Sequence, residues 1–305
     1  MNSLPLVFGV LGPIFALILL GLGLRRLDFP GDNFWPEIER FTYFLLFPAL
    51  LVHRLALARL EEYAVGPVAA IIVAQLLVMT ALVYALRPWL NVDGPAFSSV
   101  YQGAIRFNTY IGLAVVLAVF YAEGVTVAAL VMAIMIPLIN VLCVLVLNAH
   151  TSGSTTVARV LQDVIANPLI LACLTGIVLN LSGIGLPWGS EAVLEILARA
   201  TLPLGLLAVG AGLRLEGLRR LGVLATASAL KLLVLPMLVA TLCWVVQPGS
   251  LETAVLVMFA ALPGASTAYI LARQLGGDAP LIAAIVTMET AAALVTLPAV
   301  LACVV

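Results

Sequence analysis

Apolar runs of about 20 residues follow one another from end to end of this chain, with no polar block longer than roughly 20 residues between them. So much apolar surface cannot be hidden in a water-soluble core. Of 305 residues 64% are hydrophobic, only 10% are charged, and mean hydropathy is +1.21, where soluble domains average roughly half apolar and about a quarter charged. The pattern predicts an integral membrane protein, all-α and polytopic, with one membrane domain over 1–305 and no room for a soluble domain.

Windows of span length give ten expected transmembrane helices, near 4–24, 36–53, 64–86, 95–121, 124–148, 167–183, 191–213, 221–246, 251–272 and 279–303. The first run lacks a basic region before it and a cleavage pattern after it, so it reads as a retained span. The most polar segment, 150–166, divides the chain into a first five-helix repeat (1–149) and a second (167–305). In each set the second span carries a proline (Pro48, Pro203), the third is long and the fourth is interrupted. An odd number of spans per half makes the second half an inverted repeat and puts both termini on one face.

Basic residues choose the face. Loops after the odd-numbered spans hold Arg25, Arg26, Arg40, Arg87, Arg159, Arg214, Arg219, Arg220 and Arg273, against Arg54, Arg59 and Arg199 on the other side. This predicts a multi-pass protein of the inner (cytoplasmic) membrane, its 150–166 linker cytoplasmic and both termini extracytoplasmic.

Two spans are interrupted where lipid-facing helices are uniformly apolar. Span 4 contains "RFNTYIG" and span 9 contains "ALPGASTAY". Pro263 removes a backbone donor and clashes with the preceding turn, and Gly264 eases unwinding. Asn108, Thr109 and Gly112 compete with or release the regular helix. A break inside a bilayer is tolerated only where protein or a wet cavity satisfies the backbone. Paired breaks in two halves are the strongest sequence pointer to a carrier's central site. Half-helix N-termini there offer N–H groups and positive dipole ends, which suit a small organic anion. The bland reading makes Pro263 a kink and Asn108 an interhelical packing residue.

Charges within spans need partners, since each costs roughly 2.5–3.5 kcal/mol at the bilayer centre on insertion scales. Arg106 can hold a substrate carboxylate through its planar fork, or serve as a structural partner to helix-end carbonyls or to Glu289. Glu289 is a candidate for proton coupling, or half of a structural ion pair. Lys231 reads as structural. Asn140 either faces the break or links helices, and Tyr43 and Phe47 either line a wall or pack. Pro263, Ala265, Ser266, Thr267 and Tyr269 join the candidate substrate-binding set through their neighbourhood.

Other classes find little support. Only His53 and His150 exist, neither in a metalloprotease arrangement, and no nucleophile-elbow pattern is present, so an enzyme is not expected. Cys143, Cys173, Cys243 and Cys303 lie far apart inside apolar runs, so no metal site and no cofactor are expected. A net charge of −1 without a basic cluster gives no reason to expect nucleic acid. The expected partners are a small organic anion and the lipid bilayer.

At "IRFNTYIGL", "IPLINVLCV" and "LPGASTAYILARQLGGD" the sequence resembles the auxin efflux carrier family, in particular its short bacterial members, which include malonate-type carriers. The likeness extends over essentially the whole chain. It implies ten spans as two inverted repeats, with broken helices 4 and 9 crossing near the midplane. It also implies a scaffold and a mobile transport domain, elevator-type alternating access for carboxylates, and a homodimer. Transport is expected to be proton-coupled or by uniport. The chain departs from the family in a short linker, in a span-4 break without proline, and in Glu289 where bacterial relatives commonly carry glutamine. A sodium-coupled carrier of the related bile acid symporter fold is the alternative.

Overall fold

The computed structural model describes residues 3–31, 33–58, 63, 65–151, 162, 166–214, 220–265 and 267–304. The described residues are helical with short connections. Helix α1 (Ser3–Arg26) is followed by α2 (Phe34–Phe41), which passes through a π turn (Thr42–Leu46) into α3 (Phe47–Ala56). Then come α4 (Val65–Leu90), α5 (Gly94–Ile105) and α6 (Thr109–His150). The second half holds α7 (Pro168–Leu181), α8 (Ser190–Gly212) and α9 (Leu221–Ala229), which continues through a π turn (Leu230–Val234) into α10 (Leu235–Val246). The chain closes with α11 (Ser250–Ala260), α12 (Thr267–Leu275) and α13 (Ala279–Val304).

Among the described residues, five helical stretches are by length and composition able to cross a bilayer: Val65–Leu90, Gly94–His150, Ser190–Gly212, Leu221–Val246 and Ala279–Val304. Pro168–Leu181 and Ser250–Ala260 are apolar but shorter. The chain is thus an all-helical polytopic membrane protein. The stretch Gly94–His150 contains two discontinuities. One is the break between α5 and α6, and the other is a kink inside α6 at Tyr121 (φ 54°, ψ −149°). Arg40, counted above with a loop, belongs to α2. Most of the 150–166 linker, with Arg159, lies outside the described residues, as do Arg59 and Arg219.

Both π turns come just before a proline, Pro48 or Pro236. A proline has no N–H to give and its ring displaces the carbonyl four residues back, so the helix widens there instead of closing its regular turn. Tyr43 and Lys231 sit in these widened turns.

Helix packing falls into two groups, joined by contacts of α1 with α6 and α13 and of α6 with α3, α7 and α8. In the first, α1 lies along α8, α2 and the π turn that follows it pack on α8, and α3 packs on α7 and α8. In the second, α4, α5, α6, α9, α10, α11, α12 and α13 pack among themselves. The α1–α8 contact is a backbone-to-backbone approach. A methyl group at Gly210 would run into the Ile18 carbonyl, and one at Gly21 into the Leu207 carbonyl. Small residues allow this in lipid, where dispersion rather than water exclusion joins helices.

Gly210→Val is expected to lower the melting temperature of the detergent-purified protein by about 5 °C through overpacking. Gly12→Ala should cause no loss, because a methyl there meets nothing within 4 Å.

Candidate functional site

The two breaks touch. After Ile105 the backbone runs extended through Arg106 (φ −75°, ψ 154°) to Asn108 (φ −85°, ψ 108°), and α6 begins at Thr109. Asn108 holds the second helix open from both sides. Its Oδ1 accepts from the N–H groups of Tyr110 (3.0 Å) and Ile111 (3.2 Å), which are among the donors that a helix start leaves without intrahelical partners. Its own N–H donates to the Pro263 carbonyl at 2.8 Å. Each interruption therefore satisfies backbone groups of the other, as a low-dielectric setting requires. Gly112 lies one turn on, against Leu262 and Phe259.

The second break runs from Ala261 to the start of α12 at Thr267, and Ser266 within it lies outside the described residues. Two fully buried charges hold its ends. Lys231 Nζ donates to the Ala260 carbonyl at 3.2 Å, at the negative end of α11. Glu289 Oε2 accepts from the Gly264 N–H at 2.7 Å. A Cβ at Gly264 would sit 2.8 Å from the same oxygen, so a larger residue there would displace the carboxylate.

In front of the breaks lies a cavity of about 130 Å³. The second helix group lines it with Arg106, Asn108, Thr109, Asn140, Ala265 and Thr267, and the first with Glu39, Tyr43, Phe47 and Leu169. The cavity thus lies on the seam between the two groups. Thr109 and Thr267 are the first residues of α6 and α12, so two helix N-termini meet the same space. Arg106 Nη2 donates to Asn140 Oδ1 at 3.1 Å, which fixes the guanidinium on the wall. A second cavity of about 490 Å³ shares Glu39, Tyr43, Arg106, Tyr110, Asn140 and Thr267 and extends to Arg40, Asn167 and Gln274.

Of the residues singled out by sequence, Arg106, Asn108, Thr109, Asn140, Ala265 and Thr267 come together around the cavity, as do Tyr43 and Phe47. Pro263, Gly112 and Glu289 stand behind it as parts of the framework. The Tyr269 ring lies under Arg214, whose guanidinium is 5.3 Å from the ring centroid. Sequence reasoning missed Glu39, Tyr110 and Asn167. Glu39 had a signal, because residues 39, 43 and 47 are spaced four apart and share a helix face. Asn167 precedes "PLIL" and caps α7 through Leu169 N (2.9 Å) and Ile170 N (3.3 Å), while its Nδ2 donates to the Tyr43 hydroxyl at 3.1 Å.

A family model described as "Membrane transport protein" matches residues 6–301, essentially the whole chain. This chain belongs to that family, the auxin efflux carrier family. Relatives point the same way. A protein of Methanothermobacter thermautotrophicus named "Uncharacterized transporter" is 28% identical over 293 residues, covering 93% of this chain and 94% of its own. A Rhizobium meliloti protein named "Putative malonate transporter" is 28% identical over 286 residues, covering 88% and 87%. The names of the family and of these relatives indicate a membrane transporter rather than an enzyme.

Asn108→Ala removes the cap of α6 and should cost about 1 kcal/mol, read as a fall of about 3 °C in melting temperature. Asn108→Asp keeps an equivalent acceptor and should melt close to the wild type. Equal melting of the alanine variant and the wild type would show that the cap does not hold the break open.

Proposed function

We propose that this carrier is a secondary transporter of small organic anions, with carboxylates as its substrates. The observation that carries the reading is the convergence of two helix N-termini and Arg106 on one cavity. Backbone dipole ends and a guanidinium are complementary to a carboxylate. Asn108, Thr109, Asn140, Ala265 and Thr267 complete the wall, Pro263 and Gly112 shape the break, and Ser266 and Tyr269 belong to the same proposed set. The Rhizobium meliloti relative's name adds weight to dicarboxylates of the malonate class.

The transport step is an elevator-type movement of the second helix group against the first. Its support is the position of the cavity, whose lining comes from both groups. Ten spans in two inverted five-helix repeats, crossing at the breaks, and a homodimer built on the first group belong to the same proposal. The hydrogen bond from Asn108 N–H to the Pro263 carbonyl supports the crossing. With the arginine-rich ends cytoplasmic and both termini outside, the larger cavity, widening toward Arg40, Asn167 and Gln274, opens inward.

Uptake of labelled mono- and dicarboxylates, malonate included, into proteoliposomes tests the reading. Saturable flux is expected, and Arg106→Gln should raise KM about 10- to 100-fold, since a charge-assisted hydrogen bond contributes about 1.5–3 kcal/mol. Wild-type flux with an unchanged KM in the variant would move the anion site elsewhere. Proton coupling is proposed at Glu289, whose carboxylate is tied to the second break through Gly264. A pH series should then show gradient-driven uptake in the wild type and none in Glu289→Gln. An unchanged profile with retained uptake would remove Glu289 from that role.

A further inference from the structure

The first helix group brings to the cavity a hydroxyl whose direction is fixed and whose proton is unused. Asn167 caps α7, and its Oδ1 accepts from the N–H groups of Leu169 at 2.9 Å and Ile170 at 3.3 Å. Two backbone donors on that oxygen settle which end of the amide is the NH2. That end, Nδ2, faces the Tyr43 hydroxyl at 3.1 Å. An amide nitrogen only donates, so the Tyr43 oxygen is the acceptor. Its own O–H must point elsewhere, and among the described residues it donates to none. Tyr43 sits in the widened turn Thr42–Leu46 and lines both cavities together with Arg106 of the second group. Glu39, one turn earlier, is the charged residue of this wall. What the wall offers a substrate is therefore a hydrogen bond and not a second cation.

We propose that Tyr43 is a specificity-determining residue of the anion site and selects carboxylates that carry a second oxygen acceptor, a carbonyl or a further carboxylate, close to the first. Arg106 and the helix N-termini hold one carboxylate, and the Tyr43 O–H donates to the second oxygen. Asn167 is a positioning residue that acts through Tyr43. Short oxo acids and dicarboxylates belong to the selected class, and plain fatty acids of the same length do not. The inference rests on the carboxylate reading of the cavity and adds what else a substrate must carry.

The physical reason is the cost of a donor left without an acceptor. A cavity of about 130 Å³ admits only a short compound, so the two helix groups meet the two ends of one occupant. An occupant that turns a methylene or methyl group to the hydroxyl forfeits the bond that the donor makes with water, whereas an acceptor replaces it. Selectivity then depends on the direction of one O–H. Phenylalanine at position 43 removes that donor. Aspartate at position 167 reverses it, since Asp caps a helix as well as Asn, but its second oxygen accepts and draws the Tyr43 hydrogen away from the cavity.

Acetoacetate and butanoate test this, because they share one charge and nearly one shape and differ by a carbonyl oxygen. Their dissociation constants are read from the dose dependence of the melting temperature of detergent-purified protein. Wild type should bind acetoacetate about fivefold more tightly than butanoate, the factor that one hydrogen bond supplies. In Tyr43→Phe and in Asn167→Asp the two acids should bind within about twofold of each other. The ratio within each protein cancels any general repulsion of anions by the new charge at 167, and any general loss of stability. Equal binding of the two acids by wild type, or a preference for acetoacetate that survives in either variant, overturns the inference and leaves the carboxylate reading standing. Binding of neither acid by wild type overturns both.

Discussion

The structure depends on one requirement of the bilayer, that a backbone N–H or C=O without a helical partner must find another partner inside the protein. The hydrogen bond from Asn108 N–H to the Pro263 carbonyl answers it for two chain interruptions at once. Neither break is self-sufficient. Asn108 caps the helix that follows it, but its own N–H has left the helix that precedes it. Pro263 supplies no donor and leaves a carbonyl to be used. Joined, the two form a backbone-lined wall that remains polar among apolar helices, and the cavity exists because of that wall.

The three charged side chains near the breaks divide their work. Lys231 and Glu289 complement the helix ends at the second break from behind, whereas Arg106 faces forward, fixed by Asn140. Burying an ion is expensive, and each is placed where its charge opposes a helix dipole or meets a hydrogen-bond partner. The cavity then offers a substrate one cation and two positive helix ends, with Glu39 on the opposing wall. That wall belongs to the other helix group, so both groups contribute residues to one space.

Much of this was legible from local chemistry. Proline and glycine at 263–264 mark a break whatever surrounds them, and Asn108 before Thr109 reads as a helix start. The kink at Tyr121 also falls where span 4 was expected to end. The role of Glu289 was less legible. Its depth in an apolar run announces a buried acid, but only packing against Gly264 shows that it serves the framework rather than the cavity wall. Tyr269 is two residues from Thr267, yet its ring turns to Arg214, because adjacent positions on a helix point about 100° apart.

The sequence by itself determined that this chain lives in a membrane, that its helices are interrupted near 106–108 and near 263, and that titratable groups are buried beside the interruptions. Those properties follow from side-chain transfer energies and backbone stereochemistry, which act locally. Only the tertiary structure decided that the breaks meet, that Glu39 and Asn167 join the site from the other helix group, and that Lys231 and Glu289 stand behind it. Such relations join residues far apart in the sequence, as Asn108 is from Pro263. They are set by which helix faces pack together, and no local stretch of sequence encodes that.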